Sequence, residues 1–186
     1  MVKERTINIT AIIVTSVGGR YTKGTGKNIY EWSSPEDFAH FSAVRSQHTL
    51  IVMGSGTFEH VKEYEQAGLK AEKGKLRIIM TENPDRYKSF TVPGQMEFTS
   101  ETPQELVSRL EQAGYTKMLF VSGGKLLASF LKERLIDQLL LTIEPLLFGT
   151  GAILGDDPNL DITLQLQEMK QLNERGTLVL QYKVMH

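Results

Sequence analysis

Three short apolar runs, each broken off by small or turn-forming residues, constrain this chain more than any other feature. Leu50-Ile51-Val52-Met53 stops at Gly54-Ser55-Gly56-Thr57. Leu76-Arg77-Ile78-Ile79-Met80 stops at Thr81-Glu82-Asn83-Pro84, and Lys117-Met118-Leu119-Phe120-Val121 at Ser122-Gly123-Gly124. Stretches of helical pattern lie between them. Alternating strands and helices predict an α/β fold with a mostly parallel central sheet flanked by helices. In such sheets the carboxyl ends of the strands share one edge, and ligands bind in the crevice there. The three corners should therefore converge on one site.

The third corner is the most explicit. Leu126, Leu127, Phe130 and Leu131 follow it at helical spacing. A strand, two residues without side chains and a helix start form an arrangement suited to an anion. The glycines let a phosphate approach the backbone, and the first free amides of the helix point at it. The same residues would also serve as a plain tight turn; their repetition along the chain favours the cradle.

The rest of the chain supports one domain over 1–186. Residues 6–15 read as a first strand, and Ser16-Val17-Gly18-Gly19 as a turn. A polar loop over 20–33 holds Lys23, Gly24, Gly26, Lys27, Tyr30 and the sole tryptophan, Trp32. Ser34-Pro35-Glu36-Asp37 reads as a helix start, with Ser34 as cap and the two acids at the positive end. Phe38, Phe41 and Val44 mark its apolar face. A weaker helix is expected over 57–68, and a capping box at Thr102-Pro103-Gln104-Glu105 opens a helix that Gly114 ends. Residues 137–148 form a long strand candidate, with Pro145 marking a bulge or local edge. Residues 164–183 alternate in two runs around 173–176, which predicts a closing antiparallel C-terminal hairpin.

Composition narrows the function. The net charge is −1, from 21 basic and 22 acidic residues, which gives no support for a nucleic-acid surface, since that needs a basic excess or stripe. There is no cysteine, so disulfides and thiolate metal sites are excluded. The four histidines show no metal-ligand spacing, so no metal is expected. No apolar run is long enough for a membrane span, and no signal-peptide pattern is present; the expectation is a cytoplasmic protein.

Taken together, these residues resemble a known family. The order of elements, with Gly54-Ser55-Gly56-Thr57 after one strand and Ser122-Gly123-Gly124 after another, resembles the dihydrofolate-reductase-like fold. Residues 128–137 followed by Glu144-Pro145-Leu146-Leu147-Phe148-Gly149-Thr150-Gly151 are similar to the reductase domain of bacterial riboflavin biosynthesis. Ser33 to Asp37 and Arg45 also fit its pattern. That resemblance implies an NADPH-dependent reductase acting on a small-molecule substrate, 5-amino-6-(5-phosphoribosylamino)uracil in the family. It also implies a homodimer.

The resemblance also assigns residues. Gly123 and Gly124, flanked by Ser122, Lys125 and Leu126, would meet the cofactor diphosphate. Thr57, with Gly54, Ser55 and Gly56, would lie on the nucleotide side, Trp32 beside the cofactor, and Thr81 where the adenosine ribose is read. Arg45 would meet the substrate phosphate. Read from the residues alone, Thr57 serves equally as a helix cap, Trp32 as a core anchor and Arg45 as a cation at a helix's negative end. The chain departs from the family's usual pattern at Gly18 and Ser122, which stand where acids are usual. It departs again at Glu82, where an arginine often holds the cofactor's 2′-phosphate, so NADH use is admitted. Alternatives are a dihydrofolate or pterin reductase, with Asp37 as its buried acid, and a catalytically silent nucleotide-binding protein.

Overall fold

A computed structural model describes residues 5–24 and 29–186. Gly26 and Lys27 of the polar loop lie outside the described residues. In chain order the strands are β1 (Asn8–Ser16), β2 (Leu50–Gly54), β3 (Leu76–Met80), β4 (Met96–Thr99), β5 (Lys117–Val121), β6 (Gln138–Glu144), β7 (Leu164–Gln171) and β8 (Leu178–Val184). The helices are α1 (Pro35–Ser46), α2 (Ser55–Ala71), α3 (Pro103–Gln112) and α4 (Gly124–Lys132). The eight strands form one sheet in the order β4-β3-β2-β5-β1-β6-β8-β7. The first six in that order run parallel, and β8 and β7 add antiparallel. The fold is dihydrofolate-reductase-like.

The short apolar runs become central strands because both of their faces are covered. Leu50 and Val52 point into one core with Met118 and Phe120, while Ile51 and Met53 point into the other with Leu119 and Ile79. This is the two-residue period of a strand read on both sides. Leu106, Val107 and Leu110 of α3 and Leu127, Phe130 and Leu131 of α4 close the first face. Phe58 of α2, with Phe41 and Val44 of α1, closes the second. Burying a side chain such as Phe58 completely is worth about 1.5–3 kcal/mol.

Three sequence expectations shift. The helix expected over 57–68 runs over Ser55–Ala71 and is the longest of the four, because Phe58, Val61 and Leu69 dock on the sheet and override its weak pattern. The long strand ends at Glu144, before Pro145. Strand β4 had no separate signal; it is four residues long and pairs with β3 at the sheet's edge. At the opposite edge, every residue of β7 is exposed.

Candidate functional site

The edge where β2, β3 and β5 end opens into a cleft of about 920 Å³. The three corners meet there. Gly54, Ser55, Gly56, Thr57, Thr81, Glu82, Ser122, Gly123, Lys125 and Leu126 all line it. Two of the corners touch: a Cβ on Gly54 would lie 2.9 Å from the Ser122 hydroxyl, so any larger residue there must push that side chain aside. Helices α2 and α4 begin on this cleft with Gly54 and Gly123 as N-caps and no side-chain cap. By contrast, α1 and α3 are capped by the side chains of Ser34 and Thr102. Uncapped first-turn amides with a favourable helix dipole are suited to an anion. Pro103 at the start of α3 also lines the cleft, but the Thr102 cap closes that helix, so α2 and α4 are the helix starts on the cleft with no side-chain cap.

Tyr21, which the sequence did not single out, lies over the paired glycines. A Cβ on Gly123 would meet its ring at 3.1 Å, and one on Gly124 at 3.0 Å. Gly124 therefore sits beneath the ring rather than on the open wall. The segment that carries Tyr21 is fastened to residues 149–154. Tyr21 N–H donates to the Ala152 carbonyl (3.0 Å), Gly24 N–H to that of Thr150 (3.1 Å) and Leu154 N–H to that of Gly19 (2.8 Å). Gly151 is required for this contact: its φ is +132°, and a Cβ would fall 1.9 Å from the Thr22 carbonyl oxygen.

Behind the cleft lies a smaller pocket of about 110 Å³, lined by Ile12, Val14, Phe38, Phe41, Met53 and Asp37 among others. Ile12, Val14, Thr57 and Val121 line both cavities, so the two are adjacent. Asp37 is not the solvated first-turn acid that its place after Ser34 implies. It is 7% exposed and hydrogen-bonds the side chains of Thr142 and Ser33. Burial pushes its carboxyl up from the ordinary 3.8 to about 6; the Thr142 bond opposes the rise and the charge of Glu144 adds to it. Glu144 is itself buried, accepting from Ser34 N–H (2.7 Å) and the Thr177 hydroxyl (2.8 Å). One signal could have found Asp37: it lies four residues before Phe41 and eight before Arg45, on the helix face that is buried.

Besides Gly124, two expected site residues are not brought to the cleft. Trp32 is buried with its ring 5.4 Å from Phe148, and its Nε1 has no hydrogen-bond partner among the described residues. It lines neither cavity. Arg45 is 1% exposed and lines neither cavity. Its guanidinium donates to both oxygens of Glu65 (3.0 and 2.8 Å) and to Glu72 (2.9 Å). Arg77 of β3 completes the cluster through Glu65 (2.8 Å) and Glu72. A guanidinium held this way has no fork left for a phosphate, so the assignment of Arg45 to a substrate phosphate is not kept.

Comparison with known proteins places this geometry. The RibD C-terminal domain family matches residues 7–178. The chain belongs to that family. It is the reductase family to which the sequence resemblance pointed. The chain is 27% identical over 124 residues to the uncharacterized protein YwjB of Bacillus subtilis, covering 67% of this chain and 68% of YwjB. A crystal structure from Shewanella sp. PV-4, provisionally assigned to riboflavin biosynthesis, matches 97% of this chain and all of its own, with TM-score 0.74 and 20% identity. Dihydrofolate reductase from Enterococcus faecalis, complexed with NADP(H), matches 95% of this chain and 96% of its own at TM-score 0.62 and 17% identity. Among the described residues no helix is long and apolar enough to cross a membrane, and no His, Cys, Asp and Glu group has metal-site geometry.

Proposed function

We propose that this member of the RibD C-terminal domain family is a hydride-transfer reductase. It would hold a nicotinamide dinucleotide along the cleft and a planar heterocycle in the inner pocket against Asp37. The observation that carries the reading is the pair of uncapped helix starts, joined across Gly54 and Ser122, opening on a cavity that shares a wall with one lined by a buried carboxyl. The residues fit the cofactor. Gly54, Gly56 and Gly123 leave the backbone bare for a diphosphate, and Thr57 and Ser122 add hydroxyls. The NADP(H) complex of the E. faecalis enzyme supports the same reading.

A reduced nicotinamide supplies a hydride when bound; the protein supplies position and field. The chain's own groups then have defined tasks. The first amides of α2 and α4 fix the anion. Ile12, Val14 and Val121, shared by both cavities, exclude water where ring and cofactor meet. Asp37 holds a proton at its carboxyl beside the ring nitrogen that must gain one. A carboxyl near 6 can carry that proton at working pH. Asp37 also favours a pterin-like ring as a second reading of the substrate. A reductase that draws on a nicotinamide coenzyme would work in the cytoplasm. The wholly exposed β7, with Leu166 and Met169 on its surface, supports a homodimer.

Cofactor preference rests on the β3 corner. Glu82 lines the cleft where a 2′-phosphate would be read, and a carboxylate repels it. Of the three nearby cations, Arg77 is locked in the buried cluster and Lys88 pairs with Asp85 away from the cleft. Arg86 alone reaches the cleft wall, sharing Glu59 at 3.4 Å. Titration with NADPH and NADH, read by nicotinamide fluorescence, should show both binding with less than a tenfold difference. Glu82→Ala should move the balance toward NADPH. Absence of binding by either at millimolar concentration removes the reading; a large NADPH preference that Glu82→Ala leaves unchanged removes the role of Glu82.

A further inference from the structure

Strand β6 brings a second buried carboxyl to the start of α1. Thr142 and Glu144 stand two residues apart and share one face of the strand. Thr142 bonds the Asp37 side chain. Glu144, 2% exposed, accepts from the N–H of Ser34 (2.7 Å), whose hydroxyl caps α1. Its other carboxyl oxygen accepts from the Thr177 hydroxyl (2.8 Å). Asn173, in the turn between β7 and β8, braces that hydroxyl. Its Nδ2 donates to Thr177 Oγ1 (3.0 Å) and to Glu36 (3.1 Å), and its Oδ1 accepts from Thr177 N–H (3.1 Å). The C-terminal hairpin is thus latched to the first turn of α1, at Glu36 directly and at Ser34 through Glu144. A buried carboxylate needs partners, and among the described residues those of Glu144 are two hydrogen-bond donors and no cation.

Neighbouring buried carboxyls do not both ionise freely, and the donors around them decide which takes the charge. Glu144 meets a free amide at the N-terminal end of α1, where the helix dipole favours an anion. Burial is the main cause of the raised carboxyl of Asp37, and Glu144 is the charge that adds to it. The other titratable groups nearby stand apart from this pair. Tyr30 and Glu65 line the same pocket, but Glu65 is held by Arg45 and Arg77. Glu36 is exposed, and His40, three residues further along α1, is half-buried and feels Lys170.

We propose that Glu144 is a positioning residue for the reductase reaction, its carboxylate locked between α1 and the hairpin turn and holding the proton on Asp37 until a substrate nitrogen takes it. This rests on the reductase reading above. Asp37 gives that proton to the ring nitrogen and is left as a carboxylate beside a second one. Their repulsion draws the next proton from solvent.

A pH titration of the whole chain, isotopically labelled at the aspartate carboxyls and followed by NMR, tests this; the Asp37 signal is the one missing from Asp37→Asn. Glu144→Gln should lower the midpoint of Asp37 by about half a pH unit or more, and the alkaline limb of kcat/KM should move with it. Thr177→Val keeps the shape of the side chain and removes a donor to Glu144, so it should lower the midpoint by a smaller amount. Glu36→Gln removes an equal charge from the exposed neighbour of Asp37 and should leave the midpoint in place. A midpoint that Glu144→Gln and Thr177→Val both leave in place, or that Glu36→Gln lowers as far as Glu144→Gln does, overturns the inference. If Glu144→Gln does not fold, the Thr177→Val titration decides alone. The midpoint is read without coenzyme or substrate, so it is independent of turnover. Failure to oxidise NADPH or NADH with any heterocycle removes the reductase reading, whereas an unmoved midpoint removes the role of Glu144.

Discussion

Replacing Glu65 by leucine should cost about 3–5 kcal/mol of folding stability, because it strands two buried guanidiniums. Arg45 and Arg77 are 1% and 0% exposed, and Glu65 bonds both of them. Glu72 remains as a partner but lies nearer the surface and already bonds both arginines and Lys75. For a chain of this size the loss lowers the melting temperature by roughly 10 °C or more, readable by circular dichroism. Replacing Arg45, Glu65, Glu72 and Arg77 together by apolar residues of similar volume should recover much of it. A loss under about 1 kcal/mol in Glu65→Leu would contradict a closed ionic cluster. The same cluster sets the acid limit. Partial burial opposes the charge on Glu72, but the bonds and charge of Arg45 and then Lys75 outweigh it and hold its carboxyl at about 2. A carboxyl depressed on folding contributes its full stability above its ordinary 4.5 and loses it as pH falls toward 2. Glu72→Gln should flatten that part of the stability curve.

Asp37→Asn should lower kcat/KM by about 10²–10⁴ and at the same time stabilise the protein at neutral pH. The sign follows from the raised carboxyl. Ionising Asp37 costs more in the folded state than in the unfolded chain, so the penalty grows as pH rises from 3.8 to about 6 and is complete above that. Asparagine removes it, a gain on the order of 1–3 kcal/mol at pH 7 that should vanish near pH 3.5. The pH dependence of kcat/KM should show an apparent pKa near 6, with activity falling on the alkaline side as the proton is lost. That limb should be absent in Asp37→Asn. A variant that is less stable than the parent at pH 7 and retains the limb would assign Asp37 to the helix cap alone.

What the sequence showed and what it hid divide along a physical line. The glycine corners were legible because their signal is local: a bare backbone after an apolar strand has the same meaning wherever the chain goes next. The sheet was legible for the same reason, since Ile51 and Met53 alternate with Leu50 and Val52 and demand cover on both faces. Asp37 and Arg45 were hidden because their roles depend on remote partners. Asp37 is buried by what β6 brings to it, Thr142 and Glu144. Arg45 is drawn inward by Glu65 and Glu72 of the α2 region and by the charge arrangement around Arg77. Read along α1 alone, both residues look like ordinary charges placed to suit the helix dipole. Tyr21 was hidden in the same way, since a hydrogen-bonded tether to 149–154 carries it over Gly123 and Gly124.

The most direct test of the account is an amide NMR titration of the isotopically labelled protein with NADPH. The largest shifts should fall on the N–H groups of Ser55, Gly56 and Thr57 at the start of α2 and of Gly124, Lys125 and Leu126 at the start of α4, saturating together. Shifts confined to one of these two groups, or centred elsewhere on the molecule, would contradict a coenzyme held between them.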